Sequence, residues 1–408
     1  MKHSANTFDQ ELAERLEAIR EQGLLRALRR VDSSQGRHIS IDGQRLLNFS
    51  SNDYLGLANE PAIKDAAKEA VESFGAGSGA SRLVCGSLAP HHQLEQALAE
   101  FKGTEAALSF SSGYAAAIGT IGALLDKEDL IVTDQLVHAS IVDAARLCRA
   151  RLQVYAHNDL NELEDILKKA GKSGMDSSAT GSTRERSHTL IVTESVFSMD
   201  GDFAALPEIV ELKEKYGAWL MLDEAHATGL FGQHRRGLAE AFELGDRIEI
   251  QMATLGKALG AAGGCICGSR PLIDLLVNRA RSFIFSTAPP PAAAAAATAA
   301  VRFVQSEAGE ARRAQLWARV DQIKNGLTGG LWKTPVIRSP IIPLLVGDEG
   351  EAMEIAARLR SCGVFIPAIR YPSVARGEAR LRLTVTSGHS ADDVQTLLQA
   401  LAQCRTRN

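Results

Sequence analysis

Lys257 lies in Thr254-Leu255-Gly256-Lys257-Ala258-Leu259-Gly260, a lysine among small residues that let a ligand approach the backbone closely. An amine so placed can attack a carbonyl carbon and form a Schiff base. Earlier in the chain the apolar run Trp219–Leu222 ends at Asp223, and Glu224-Ala225-His226-Ala227-Thr228-Gly229 crowds polar groups behind it. A lysine after a strand is ordinarily a solvated surface residue. Paired with an aspartate that can keep a pyridine nitrogen protonated, it becomes the minimum a protein contributes to pyridoxal-phosphate chemistry. Lys257 and Asp223 fit those two roles.

Such a cofactor carries a phosphate, which needs backbone donors and hydroxyls. Ser111-Ser112-Gly113-Tyr114-Ala115 follows an apolar run and reads as a turn opening a helix, whose N-terminus cradles an anion; the same residues also suit a plain helix cap. His138, in Gln135-Leu136-Val137-His138-Ala139-Ser140, stands just past another expected strand end, where an imidazole can stack on a flat ring or move a proton. Gly75-Ala76-Gly77-Ser78-Gly79-Ala80-Ser81-Arg82 is too rich in glycine for a helix or strand and reads as a loop that a ligand or another chain approaches, or as a surface linker.

The elements that must position these groups are visible as short apolar runs between helical patterns. They are 107–110, 130–134, 152–155, 189–194, 219–224 and 248–253. Strand and helix alternate, so the sheet is expected to be mainly parallel and buried on both faces. In such sheets ligands bind at the carboxyl ends of the strands, where Asp223 and Lys257 fall. Residues 9–30 read as an N-terminal helix laid over the body, ending in Arg29 and Arg30, and 289–304 as a proline-started, alanine-rich helix. The polar segment 171–187 reads as a mobile surface loop. Beyond about residue 320 a smaller α+β pattern begins, with strands near 336–346 and 379–386 flanking a helix near 351–362. The expected organisation is an N-terminal helical segment (1–47), a large cofactor-binding domain (48–300) and a small C-terminal domain (301–408).

The 408 residues carry a formal charge of −4, without the basic excess that binds nucleic acid or anionic membranes. The first twenty residues lack the apolar core of a signal peptide, and no run reaches the roughly 18 apolar residues of a spanning helix, so the expectation is a cytoplasmic protein acting on small molecules. Six scattered cysteines form neither a disulfide framework nor a metal site; Cys265 and Cys267 in GGCICG read as alternate residues of a buried strand.

Taken together, eight stretches resemble the α-oxoamine synthases, fold-type I pyridoxal-phosphate enzymes that join an amino acid to an acyl thioester with loss of carbon dioxide. They are NFSSNDYLGL (48–57), GAGSGASRLVCG (75–86), HASI (138–141), ESVFSMDGD (194–202), DEAHATG (223–229), TLGKALG (254–260), FSTAPPP (285–291) and AIRYPSVARGEARLRLTVT (368–386). The resemblance implies that Lys257 carries the cofactor, Asp223 faces its pyridine nitrogen, His138 stacks on the ring and His226 bonds the phenolic oxygen with Ser198 nearby. It implies that Gly113, Tyr114 and Thr254 contact ring or phosphate, and that Ser286 and Thr287 reach the phosphate of a neighbouring subunit in a homodimer. Arg370 would bind the amino acid carboxylate, Arg29 and Ser373 would contact substrate, and Asn52 and Glu194 would complete the site. Within the family ALRR (27–30), SSNDYLGL and FSTAPPP weigh towards L-alanine and a pimeloyl thioester, carried by coenzyme A or an acyl carrier protein. Sister enzymes that use glycine with acetyl- or succinyl-CoA are the alternative, and a non-catalytic subunit of the same fold a distant one. Val137 and Ala117, where asparagine is common in relatives, and Arg370-Tyr371-Pro372-Ser373-Val374-Ala375 depart from the family pattern on the substrate side.

Overall fold

A computed structural model of the chain describes residues 7–175, 187–330 and 332–405. Helix α1 (Thr7–Glu21) precedes a hairpin of β1 (His38–Ile41) and β2 (Gln44–Asn48), and helices α2 (Pro61–Phe74) and α3 (Ala89–Lys102). Strand and helix then alternate through β3 (Ala106–Phe110), α4 (Gly113–Leu124), β4 (Leu130–Asp134), α5 (Ala139–Cys148), β5 (Arg151–Tyr155), α6 (Leu160–Met175), β6 (Thr189–Glu194), α7 (Leu206–Tyr216) and β7 (Trp219–Asp223). Next come α8 (Leu238–Ala241), β8 (Ile250–Thr254), β9 (Gly264–Gly268), α9 (Arg270–Arg279), α10 (Arg281–Ile284), α11 (Pro291–Val304) and α12 (Glu307–Leu327). The last described elements are β10 (Ile341–Gly347), α13 (Glu349–Ser361), β11 (Val364–Phe365), β12 (Ala368–Ile369), β13 (Ala379–Thr384) and α14 (Ala391–Arg405).

Among the described residues, seven strands form the central sheet in the order β3-β9-β8-β7-β6-β4-β5. β9 runs antiparallel to both neighbours, and the others run parallel to one another. The two-sided burial expected of apolar runs is visible residue by residue. Leu130, Val132, Ile191, Leu220 and Leu222 face one core with Leu98, Leu163, Ile209 and Ala297, while Ile131, Leu190, Val192 and Met221 face the other with Ile121, Ile141 and Ile273. Cys265 and Cys267 are buried in β9, as the alternating pattern predicts. The edge strand β5 is the exception, with only Tyr155 buried. Two small sheets stand apart: β10-β13-β12, and the β1–β2 hairpin extended by β11.

Several expectations need correction. The N-terminal helix stops at Glu21 rather than Arg30, because Gly23 adopts a positive φ of 68° and the amide of Leu24 returns to the Ile19 carbonyl at 3.0 Å. No residue of α1 is buried, so it is not laid over the body of its own chain. Residues 1–47 are not uniformly helical either, since the β1–β2 hairpin lies there and β2 pairs with β11 from the far end of the chain. The expected boundary at 300/301 falls inside α11. Of the loop expected at 171–187, residues 171–175 continue α6, and 176–186 lie outside the described residues. Among the described residues no helix is long and apolar enough to cross a membrane.

Candidate active site

β3, β4, β6, β7 and β8 all end on one edge of the sheet, and each delivers a polar group there. β7 ends at Asp223, whose Oδ1 accepts the Ala225 amide at 2.9 Å. The turn that follows carries His226, and the loop after β8 carries Lys257. Their side chains meet: Lys257 Nζ lies 2.9 Å from His226 Nε2. On the other ring nitrogen, His226 Nδ1 lies 2.6 Å from the hydroxyl of fully buried Tyr54. Burial, with the charge of Lys257 behind it, holds the His226 pKa well below its usual value, so the ring is neutral. Burial also lowers the pKa of Lys257, against the opposing charges of Asp223 and Glu194, and raises that of Asp223 against the charge of Lys257.

Glu194 ends β6 directly beside Asp223 in the strand register. Burial first, and the Asp223 charge second, push its pKa up to about 8, and its Oε1 has no hydrogen-bond partner among the described residues. His138 follows β4 and caps α5, its Nδ1 taking the Ser140 amide at 3.2 Å. Burial lowers the His138 pKa, and the charge of Asp223 opposes that shift.

The turn to His138 is held from behind. His157 Nδ1 lies 3.0 Å from Asp134 at the end of β4, and its Nε2 lies 2.8 Å from Asp202 in the loop that also holds Ser198. Burial alone would depress this histidine, but the two carboxylates outweigh it and hold its pKa up to about 10.

Ser112 caps α4, accepting the Ala115 amide at 3.1 Å, so the first turn of α4 faces the same edge with its amides. That helix end lies hard against β9: a Cβ on Gly264 would stand 2.6 Å from the Gly113 backbone. Thr254 Oγ1 bonds the Gly263 carbonyl at 3.2 Å, and Tyr114 donates to Asp143 at 2.9 Å. An amine, a carboxylate for a ring nitrogen, a neutral imidazole and an anion-binding helix end are a donor set that fits pyridoxal phosphate.

Arg382 links further predicted residues. Its Nε donates to the Ser198 carbonyl at 2.7 Å and its Nη1 to Asn52 Oδ1 at 3.1 Å. Neither Arg382 nor Tyr54 was assigned a role from sequence. Tyr54 stands within the quoted SNDYLGL stretch, and Arg382 is a charge inside the apolar alternation of LRLTV; a buried charge in a strand was the available signal.

Other predicted residues make their contacts elsewhere. Arg370 is occupied by backbone, donating to the carbonyls of Gly23 and, at 3.2 Å, Leu25. Ser373 donates its amide to the Arg370 carbonyl at 3.0 Å, and the Arg29 guanidinium lies 5.7 Å from the Phe365 ring centroid. Ser286 and Thr287 lie between α10 and α11, where Thr287 bridges to Ser81 of the glycine-rich loop. Neither hydrogen-bonds Lys257, Asp223 or His226.

A family model described as aminotransferase class I and II matches residues 44–401. A relative named 8-amino-7-oxononanoate synthase from Geotalea daltonii is 47% identical over 96% of this chain and 97% of its own. Another of that name from Thermoanaerobacter pseudethanolicus is 42% identical over 95% of each. Among solved structures, a serine palmitoyltransferase from S. paucimobilis with a PLP–myriocin aldimine bound is similar at TM-score 0.88 and 27% identity, over 98% of both chains. The crystal structure of an 8-amino-7-oxononanoate synthase from Francisella tularensis is similar at TM-score 0.72 and 26% identity, over 88% of this chain and 97% of that one.

Proposed function

The chain belongs to the aminotransferase class I and II family, and from that premise we propose that it condenses L-alanine with a pimeloyl thioester, releasing carbon dioxide and 8-amino-7-oxononanoate. It is a pyridoxal-phosphate-dependent acyltransferase of biotin biosynthesis, working in the cytoplasm. The observation that carries the reading is the Lys257–His226 contact of 2.9 Å beside the buried Asp223, in a chain 47% identical to a synthase of that name.

When bound, pyridoxal phosphate supplies an aldehyde that condenses with amines and a pyridine ring that accepts the electrons of a bond broken at Cα. Lys257 Nζ is the amine that would hold it covalently. The lowered pKa of Lys257 favours the neutral amine, and Nζ, when not holding that group, would be the base for the Cα proton. The Asp223 carboxylate would keep a proton on the ring nitrogen. His226, its ring orientation fixed by the Tyr54 hydroxyl, would bond the phenolic oxygen, and His138 would stack on the ring. Gly113, Tyr114 and Thr254 would line the ring and phosphate, with Ser198, Asn52 and Glu194 completing the pocket.

In this reading residues 48–300 hold the cofactor, and residues 301–408 contribute Arg370 for the alanine carboxylate and Ser373 for substrate. Arg29 contacts the acyl side. The working unit is a homodimer in which Ser286 and Thr287 of one subunit reach the phosphate in the other. Exposed Leu83, Val84 and Phe285, flanking the Ser81–Thr287 bridge, support a second copy covering this loop pair.

The test is a mass analysis of products from the purified holoenzyme with alanine or glycine and pimeloyl-, acetyl- or succinyl-CoA, or pimeloyl-acyl carrier protein. 8-Amino-7-oxononanoate formed only from alanine and a pimeloyl thioester is the expected result. A product from glycine with acetyl- or succinyl-CoA moves the chain to a sister activity.

A further inference from the structure

Behind the turn that carries Asp223 and His226 lies an ion pair that the reaction as described does not use. Lys102, the last residue of α3, reaches across to Glu224 with Nζ 2.6 Å from Oε2, and both side chains are fully buried. The same Nζ donates to Thr228 Oγ1 at 3.0 Å and to the Arg236 carbonyl, so its three donors are all engaged. Glu224 Oε1 accepts the Ala239 amide at 2.9 Å, and a Cβ on Gly237 would stand 2.3 Å from that oxygen, so the carboxylate is enclosed by backbone. Main-chain bonds complete the lock: the Glu224 amide bonds Met252 of β8 at 2.8 Å, and the Glu224 carbonyl accepts the amides of Ala227 at 3.0 Å and Thr228 at 2.9 Å.

We propose that Lys102 is a positioning residue for the reaction: its pairing with Glu224 fixes the 223–228 turn and cancels the negative charge standing next to Asp223. The proposal rests on the reading of Asp223 and Lys257 given above. Glu224 follows Asp223 in sequence, and the two carboxylates occupy one low-dielectric region in which an uncompensated charge acts strongly. Facing Asp223 are Lys257 from the β8 loop, His138 from the β4 turn, Glu194 from β6 and Glu224 itself. Facing Glu224 are Lys102 from α3 and the buried thiol of Cys267 from β9. Burial is the largest influence raising the Asp223 pKa, and the Glu224 charge adds to it. Lys102 is the only cation hydrogen-bonded to Glu224 among the described residues. Without it, the aspartate that must stay ionised beside the ring nitrogen has a bare carboxylate next to it.

The experiment compares wild type, K102M, E224Q and the K102M/E224Q double variant as holoenzymes. Two readouts are taken: the pH midpoint of the visible absorbance of the lysine-linked cofactor, and the affinity of each apoprotein for added pyridoxal phosphate. K102M, with an unpaired buried anion, is expected to raise the midpoint by about one unit and weaken affinity about tenfold. E224Q, with an unpaired cation, is expected to lower the midpoint. The double variant, neutral at both positions, is expected to return close to the wild-type midpoint. A merely structural ion pair also predicts relief in the neutral double variant, but no opposed movement of the midpoint in the two single ones; midpoints of K102M and E224Q that stay at the wild-type value overturn the proposal. Should K102M fail to fold, the downward shift in E224Q still decides: no shift overturns it. A wild-type protein with no lysine-linked absorbance at all sinks the reading of Lys257, and this proposal with it.

Discussion

Glu194 and Tyr54 are the side chains whose chemistry depends most on where the fold has put them. Glu194 keeps its proton up to about pH 8 in the fold, whereas its ordinary value is 4.5. Across that interval the folded state holds one more proton than the unfolded one. The stabilising contribution of this group is therefore greatest below pH 4.5, declines as pH rises and is lost above about 8. Glu194→Gln, which stays neutral, should flatten that decline in melting temperature against pH; an unchanged decline would show that another group titrates. Burial pushes the Tyr54 pKa up to about 12, so its hydroxyl stays protonated against His226. Tyr54→Phe removes one hydrogen bond to a neutral ring, and kcat/KM should fall about threefold to tenfold with little change in melting temperature. An unaltered kcat/KM would mean that Lys257 alone orients His226.

Two contacts between elements determine how well the site is held together. The first is the meeting of α4 with β9 at Gly113 and Gly264. Gly264→Ala places a methyl carbon 2.6 Å from the Gly113 backbone, so the helix end must move away from the anion it is proposed to bind. Cofactor affinity, titrated by absorbance, should drop by about tenfold or more, and an unchanged affinity would take the phosphate away from this helix. The second is the bracket of His157 between Asp134 and Asp202. Its raised pKa means that the charged ring contributes fully below its ordinary value of 6.5 and that the contribution is lost as pH rises through about 10. His157→Gln should lower the melting temperature by roughly 2 °C at neutral pH and abolish the loss seen in wild type towards pH 10. These contacts mark where sequence reading stopped. The runs at 130–134 and 189–194 and the cap at Ser112 are local patterns, and the strands and helix appear where those patterns put them. Which strand stands beside which, and hence that Glu194 neighbours Asp223 or that His157 reaches Asp202, depends on long-range pairing with no periodic trace in the chain.

At the scale of the whole molecule, the proposed homodimer has a consequence for mixed subunits. Lys257→Ala and Thr287→Asp are each expected to be inactive, the first for want of the amine and the second through repulsion of the phosphate. If one subunit supplies the lysine and the other the threonine, half the molecules in a re-equilibrated mixture are heterodimers, each with one intact site. Activity should then return to about one quarter of wild type, and a mixture that stays inactive would place Thr287 outside the partner's site. The N-terminal helix was legible as a helix but not in its placement, because an amphipathic pattern records that a face is apolar and not what covers it. The antiparallel β9 bears on biosynthesis. Among the described residues β3 has no strand neighbour other than β9, and residues 106–110 are made long before residues 264–268. An emerging chain therefore carries an unpaired sheet edge, and an α4 without its backing, until β9 leaves the ribosome. Stalled chains ending before Gly264 should be cleaved readily by protease around β3 and α4, and chains extended past β9 and its following helices should resist, so the order of synthesis sets when this enzyme can first hold its cofactor.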